Sequence, residues 1–326
     1  MHYRPFGSLD FAVSIVGFGG AAVSGEGGGY GFGAISEDDS IQLIRYAFEK
    51  GINLFDTAPI YGFGESERRI GKALKPFRER VFVVSKCGVT WHDNKRVNMT
   101  NDPAVARKML EQSLRDLNTD YIDLYMIHWP DKQVDIRKPM EVLSRAKTQG
   151  KIRAIGLSNT HEEDLRRALE VDRVDVLQSE YNLFHRGIEE SLWPLVDEFK
   201  LGMMSWGSLD KGILTGRVTR ERKFDEYDLR ANAPWWKSAD RSWKYRAMER
   251  IKPLVEAADH TLQQMALGYI FQSGHLSTAL CGAKSPAQIN TVIAAIDKLP
   301  SSGLLDKARN IAIEEASRAD AQATLD

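Results

Sequence analysis

Short apolar runs and amphipathic stretches take turns along almost the whole chain. Gly51-Ile52-Asn53-Leu54-Phe55-Asp56 ends an apolar run on a carboxylate, and Ala58-Pro59 then turns the chain toward Tyr61. The runs over residues 81–86 and 121–128 end on Lys86 and His128. Apolar runs of this length, bounded by Gly and Pro, read as buried strands. Further strands are expected over residues 15–22, 152–157, 174–180, 203–206 and 276–281. Between them lie segments with helical period. The first covers residues 41–50 behind a cap at Ser36-Glu37-Asp38-Asp39, and the next residues 66–74. Others cover 102–117 with Pro103 in the first turn, 139–149, 161–170 and 188–200. Residues 247–273 form a helix broken near His260, residues 286–296 another, and the tail from Ser302 one more. Alternation around Gly7-Ser8-Leu9-Asp10 predicts an N-terminal hairpin within residues 1–17. A long, charged, aromatic connection runs from Gly207 to Trp243.

About eight strands separated by helices imply right-handed parallel crossovers. Eight such units in 326 residues, without a Pro-, Gly- or Ser-rich linker, predict one α/β domain over residues 1–326. Its architecture would be a (β/α)8 TIM barrel with an N-terminal β-hairpin and an extra C-terminal helix. Catalytic groups in such barrels sit at the carboxyl ends of strands. Asp56, Lys86, His128, Ser158-Asn159, Gln178 and Trp206 all fall there. The glycine-rich tract after residue 15 invites a dinucleotide-fingerprint reading, but that motif needs a helix beginning at its glycines. Val23-Ser24-Gly25-Glu26-Gly27-Gly28-Gly29-Tyr30 cannot begin one. A mobile loop at the mouth of a site fits it better.

Composition narrows the function classes. The chain is 43% hydrophobic and 27% charged with a net charge of −1, so neither nucleic acid nor an anionic membrane is an expected partner. No apolar run reaches membrane-spanning length, and the N-terminus lacks a signal-peptide pattern. Cys87 and Cys281 are expected as thiols of a reducing cytoplasm. The seven histidines show no His-x-His spacing, so no metal site is expected. Oligomeric state is not legible.

Taken singly, each polar strand-end residue has an ordinary structural reading as cap, turn or packing group. Convergence at one barrel mouth changes that. An ammonium beside a phenol favours the phenolate, and a carboxylate keeps a buried ammonium charged. Asp56, Lys86 and Tyr61 therefore form a chemically sensible chain, with His128 placed to orient a carbonyl. The set suits proton transfer to a carbonyl oxygen.

These motifs, with Gly150 to Asn159, Gln178-Ser179-Glu180-Tyr181-Asn182 and Gly282 to Gln288, resemble the aldo-keto reductase superfamily over nearly the whole chain. The stretch Trp206 to Gly216, followed by Asp228-Leu229-Arg230, is most similar to bacterial general-stress and inositol-operon reductases. The resemblance implies a catalytic tetrad of Asp56, Tyr61, Lys86 and His128, with Tyr61 giving the proton and NADPH the hydride to a small carbonyl substrate. It implies that Ser158, Asn159 and Gln178 hold the nicotinamide carboxamide while Trp206 stacks on the ring. Gly207, Ser208, Leu209, Lys211 and Gly212 would surround the pyrophosphate, and Arg230 would reach a phosphate. Lys284, with Gly282, Ser285 and Gln288 beside it, would meet the adenosine 2′-phosphate. Thr291-Val292 stand where many relatives carry Glu-Asn near adenine. Tyr30, Trp91, His92 and Trp129 are candidate pocket walls; Trp235-Trp236 would cover the cofactor or a subunit contact. Two other functions fit parts of the pattern. One is a cofactor-sensing subunit with slow turnover, and the other an aldolase-like lyase with Lys86 as a Schiff-base lysine.

Overall fold

The computed structural model describes residues 1–26 and 30–323. Residues 27–29, in the tract expected as a mobile loop, lie outside the described residues. Chain order is hairpin β1 (Tyr3–Phe6) and β2 (Leu9–Ser14), then barrel strand β3 (Val16–Gly19) and helix α1 (Glu37–Glu49). Next come β4 (Leu54–Asp56), α2 (Glu65–Leu74) and β5 (Phe82–Cys87). A second hairpin, β6 (Val89–Trp91) and β7 (Val97–Met99), precedes α3 (Pro103–Asp116) and β8 (Ile122–Ile127). Then follow α4 (Arg137–Thr148), β9 (Ile152–Ser158), α5 (Glu162–Leu169) and β10 (Val176–Glu180). Helices α6 (Ile188–Ser191) and α7 (Trp193–Phe199) lead to β11 (Gly202–Trp206). The connection after it holds short helices α8 (Leu229–Asn232) and α9 (Pro234–Ser238). Helices α10 (Ser242–Ala257) and α11 (Leu262–Gln272), strand β12 (Thr278–Cys281), and α12 (Pro286–Asp297) and α13 (Ser302–Ala323) complete the chain.

Strands β3, β4, β5, β8, β9, β10, β11 and β12 close into a barrel in chain order, every pair parallel. The expected (β/α)8 architecture is the one observed. These strands are buried on both faces, which is why they read as continuous apolar runs. Leu54, Val84, Leu124, Met126, Ala154, Val176, Met204 and Leu280 fill the interior, and Phe6 and Val13 of the first hairpin pack with them. A Cβ on Gly202 would stand 2.7 Å from the Phe6 ring, so only glycine admits this hairpin so close to β11.

Several helix starts follow their predicted chemistry. Ser36 accepts from the Asp39 amide ahead of α1, and Asp102 accepts from Ala104 and Val105 ahead of α3. Three differences have local causes. The helix expected over 188–200 is two, because Pro194 cannot donate a helical hydrogen bond and crowds the preceding turn. The β6–β7 hairpin was not foreseen. Its three-residue strands flank the charged turn His92 to Arg96 and show too little alternation to register. A single 3₁₀ turn, Gly20–Val23, replaces the end of the strand expected over residues 15–22.

Candidate active site

Asp56 closes β4, Lys86 stands one residue from the end of β5, and His128 follows β8. The His128 amide donates to the Cys87 carbonyl at 2.9 Å, so it extends the ladder. The three groups therefore stand on neighbouring strands at one end of the barrel. Lys86 is wholly buried, and its Nζ donates to Asp56 Oδ1 at 2.7 Å and to the Thr57 carbonyl at 2.8 Å. Gln178 Nε2 donates to the same Oδ1 at 2.8 Å. Burial pulls Lys86 below its ordinary range, while the charges of Asp56 and Glu67 resist it.

Tyr61 follows the turn after β4. Lys86 Nζ lies 5.3 Å from its ring centre, and the His128 ring meets it edge-on at 6.1 Å. The expected lowering of the phenol by Lys86 is not found. Burial first, then the Asp56 and Tyr30 charges, hold Tyr61 well above its usual range. The Lys86 ammonium is already shared between two oxygens on its other side. Burial, then Lys86, hold the imidazole of His128 well below its ordinary value. The site thus presents a neutral phenol and a neutral imidazole in front of a buried ion pair. Such a pair can donate hydrogen bonds, and from Tyr61 a proton, to an oxygen gaining negative charge.

Behind the pair, the first turn of α2 reaches three strand ends. Ser66 Oγ donates to the Gly20 carbonyl at 2.9 Å and accepts from Thr57 Oγ1 at 2.8 Å. Ser85 Oγ donates to Glu67 Oε1 at 2.6 Å. Glu67 is fully buried, and burial raises its carboxyl to about 7. Sequence reasoning missed this residue.

On the opposite side, Asn159 adopts φ +54° and gathers the remaining strand ends. Its amide N–H donates to the Gln178 carbonyl at 2.8 Å. Its Nδ2 donates to the His128 carbonyl and to Ser158 Oγ, each at 3.0 Å. Its Oδ1 accepts from Trp206 Nε1 at 2.9 Å.

A cavity of about 990 Å³ opens over this floor. Asp56, Tyr61, His128, Asn159, Gln178, Trp206, Gly207, Ser208, Leu209, Lys211, Gly212, Arg230, Gly282, Lys284 and Gln288 line it, as do Tyr30 and Trp129. Lys86 and Ser158 stand just behind the wall, and Ser285 caps α12 by accepting from the Gln288 amide. Trp91 is not brought to the cavity. It packs on Phe63 with ring centres 5.1 Å apart, because the β6–β7 hairpin carries it outward. His92, in the turn of that hairpin, is likewise absent from the lining. The Trp235-Trp236 pair divides: Trp235 lines the cavity and Trp236 is buried under Arg241.

The cations at the far end differ in their commitments. Lys211 bonds Glu180 Oε1, Arg230 grips Asp228 and donates to the Lys211 carbonyl, and Lys284 donates to the Gly33 carbonyl at 2.6 Å. Burial lowers Lys284 to about 8. Arg217 and Arg222 also line the cavity, a contribution that sequence reasoning missed. Glu180, His185 and Asp210 converge as metal ligands would, but the ammoniums of Lys211 and Lys244 fill that cluster. The loop after β3 also meets the connection across the cavity, through Leu229 N donating to the Gly31 carbonyl at 2.9 Å and a Phe32–Asp228 bridge.

A family model described as the aldo/keto reductase family matches residues 16–304. Aldo-keto reductase YhdN of Bacillus subtilis is 35% identical over 295 residues, covering 90% of this chain and 88% of that protein. The NADH-specific methylglyoxal reductase of Escherichia coli is 33% identical, covering 90% and 93%. Among solved structures, the glycerol dehydrogenase AKR11B4 from Gluconobacter oxydans superposes with a TM-score of 0.84 at 31% identity, covering 96% and 95%.

Proposed function

The chain belongs to the aldo/keto reductase family, and from that premise we propose an NADPH-dependent reductase of small aldehydes and ketones with Tyr61 as proton donor. That it is an oxidoreductase of carbonyl compounds using a nicotinamide cofactor follows from the family. The finer reading rests above all on one observation. A protonated Tyr61 and a neutral His128 stand together over the buried Asp56–Lys86 pair, at the floor of a cavity wide enough for cofactor and substrate.

The residues present fit such a cofactor. Trp206 and Gln178 both line the cavity; Gln178 keeps one amide hydrogen, and its Oε1, which accepts from Ser158 Oγ at 3.5 Å, keeps one acceptor position for a carboxamide. Gly207 and Gly212 have φ of +65° and +99°, so the segment between them turns tightly at the cavity wall. When bound, the nicotinamide would supply a hydride to the carbonyl carbon. His128 would orient the carbonyl oxygen. As that oxygen gains charge, the Tyr61 O–H bond breaks and its proton completes the alcohol. Lys86, its charge kept by Asp56 and its Nζ 5.3 Å from the ring centre, would offset only part of the burial penalty on the phenolate left behind until solvent restores the proton.

Arg217, Arg222 and Lys284 support NADPH over NADH, because all three cations line the cavity that would hold an extra phosphate. Of these, the Arg217 and Arg222 side chains make no hydrogen bond or ion pair among the described residues. The E. coli relative's NADH specificity makes this the point to measure. Titration with both cofactors, followed by turnover on an aldehyde panel, tests the reading. Tighter NADPH binding with oxidation by an aldehyde is expected; NADH preference would overturn the cofactor assignment.

A Schiff-base role for Lys86 has less support. Its ammonium is wholly buried and bonded to two oxygens, whereas such a lysine must be an accessible amine. No helix among the described residues is long and apolar enough to cross a membrane. A cytoplasmic location belongs to the proposal and rests on Cys87 and Cys281 being unpaired thiols.

A further inference from the structure

Asn159 joins the ends of four successive barrel strands. Its contacts reach the His128 carbonyl after β8, Ser158 Oγ on β9, the Gln178 carbonyl on β10 and the Trp206 indole on β11. Both protons of its amide nitrogen are committed to the protein. One lone pair of Oδ1 is taken by Trp206, leaving a single acceptor position for any ligand.

A primary amide has two nearly isosteric orientations, related by a flip. The indole N–H settles which one is present, because a donor at 2.9 Å requires oxygen on that side. The nitrogen is thereby directed at the His128 carbonyl. In the flipped state, two oxygens would face each other at His128 and two donors at Trp206. Removing the indole N–H removes half of that penalty and leaves the orientation to His128 and Ser158 alone, so the flipped state is populated more. The bond that fixes the His128 backbone from this side is then made for a smaller part of the time.

We propose that the indole N–H of Trp206 is a positioning group for His128, acting through the Asn159 amide. The ring of Trp206 and its N–H edge thus serve different partners: the residue lines the cavity, with Lys211 Nζ over its ring, and the edge acts on a residue three strands away. This inference rests on the assignment of His128 as the group that orients the carbonyl.

The test separates edge from face. Trp206→Phe keeps an aromatic face and deletes the donor. Cofactor affinity should change by less than about threefold, while kcat/KM for the carbonyl falls by about fivefold to tenfold, the worth of one hydrogen bond. Weakened cofactor binding with unchanged carbonyl kinetics at saturating cofactor would overturn the proposal. A second readout needs no turnover. The Trp206 indole proton should exchange slowly with solvent in the native chain and at least about ten times faster in folded Asn159→Ala; equal rates would overturn the hydrogen-bonded link. Asn159→Asp keeps an acceptor for the indole but sets a carboxylate oxygen against the His128 carbonyl. Slow indole exchange with a raised carbonyl KM is expected there, and native kinetics would count against the link to His128. If the native chain reduced no carbonyl, the functional reading would fail while the exchange experiment still judged the network.

Discussion

The barrel rim is fastened in two ways. On the side of β3, β4 and β5, the fastening is charged and comes from behind: Lys86 binds Asp56, and Ser66 and Glu67 of α2 hold Gly20, Thr57 and Ser85. On the side of β8 to β11, it is neutral and lies in front, where the Asn159 amide and the Trp206 indole knit the strand ends. Gln178 Nε2 to Asp56 Oδ1 joins the two sides. The charged side shapes proton affinities and must exclude water to do so. The neutral side sets angles and carries no charge to titrate.

The sharpest way to probe the contrast is the group that the charged side serves. Tyr61→Phe should retain nicotinamide binding yet lose about 10²–10⁴-fold in carbonyl reduction, as expected for deletion of a general acid. Single-turnover kinetics at saturating cofactor check this, and an undiminished rate would remove Tyr61 from its role. Asp56→Asn strands a buried ammonium, and a broken buried pair costs about 3–5 kcal/mol. Urea unfolding should show the loss; native stability would mean that the rim does not depend on the pair.

A smaller effect concerns pH. The Glu67 carboxyl sits at about 7 in the folded chain against 4.5 ordinarily, raised by burial. The folded state therefore holds this proton more tightly than the unfolded one. Its contribution to stability is fully present below about 4.5 and is lost as pH rises through about 7. Glu67→Gln should flatten that fall, by on the order of 3 kcal/mol between pH 4.5 and 8, when unfolding is compared across the range. Parallel curves for both proteins would refute it. Least of all, Gln178→Met severs the joint between the sides, at about 1 kcal/mol and with little change in the pH profile. A shifted pH profile in this variant would show that the neutral side does tune the charged one.

Legibility followed the same division. Strand runs stood out because both faces are buried, and Asp56, Lys86 and His128 stood out because each ends an apolar run with a polar group. Glu67 offered a signal that went unread. It shares a helix face with Ile70, Gly71 and Leu74, all buried, so an acid lay on an apolar stripe. The fall of Trp91 outside the cavity could not be read, since it depends on a hairpin of two three-residue strands. The high affinity of Tyr61 for its proton was also hidden. Sequence placed Lys86 near the phenol but could not show its ammonium turned toward Asp56 and Thr57. Arg217 and Arg222 lay in a charged connection whose course over the cavity no periodicity reveals.

Phe6 and Val13 of the first hairpin pack with the apolar interior of the barrel and do not line the cavity, whereas Leu280 belongs to both. The cavity thus rests on a packed apolar interior. On the proposed reading, the incoming carbonyl, the departing alcohol and the water that recharges Tyr61 would share that cavity. A phenolate would then wait for the alcohol to clear its path, so a product that lingers would delay the next proton as well as the next guest.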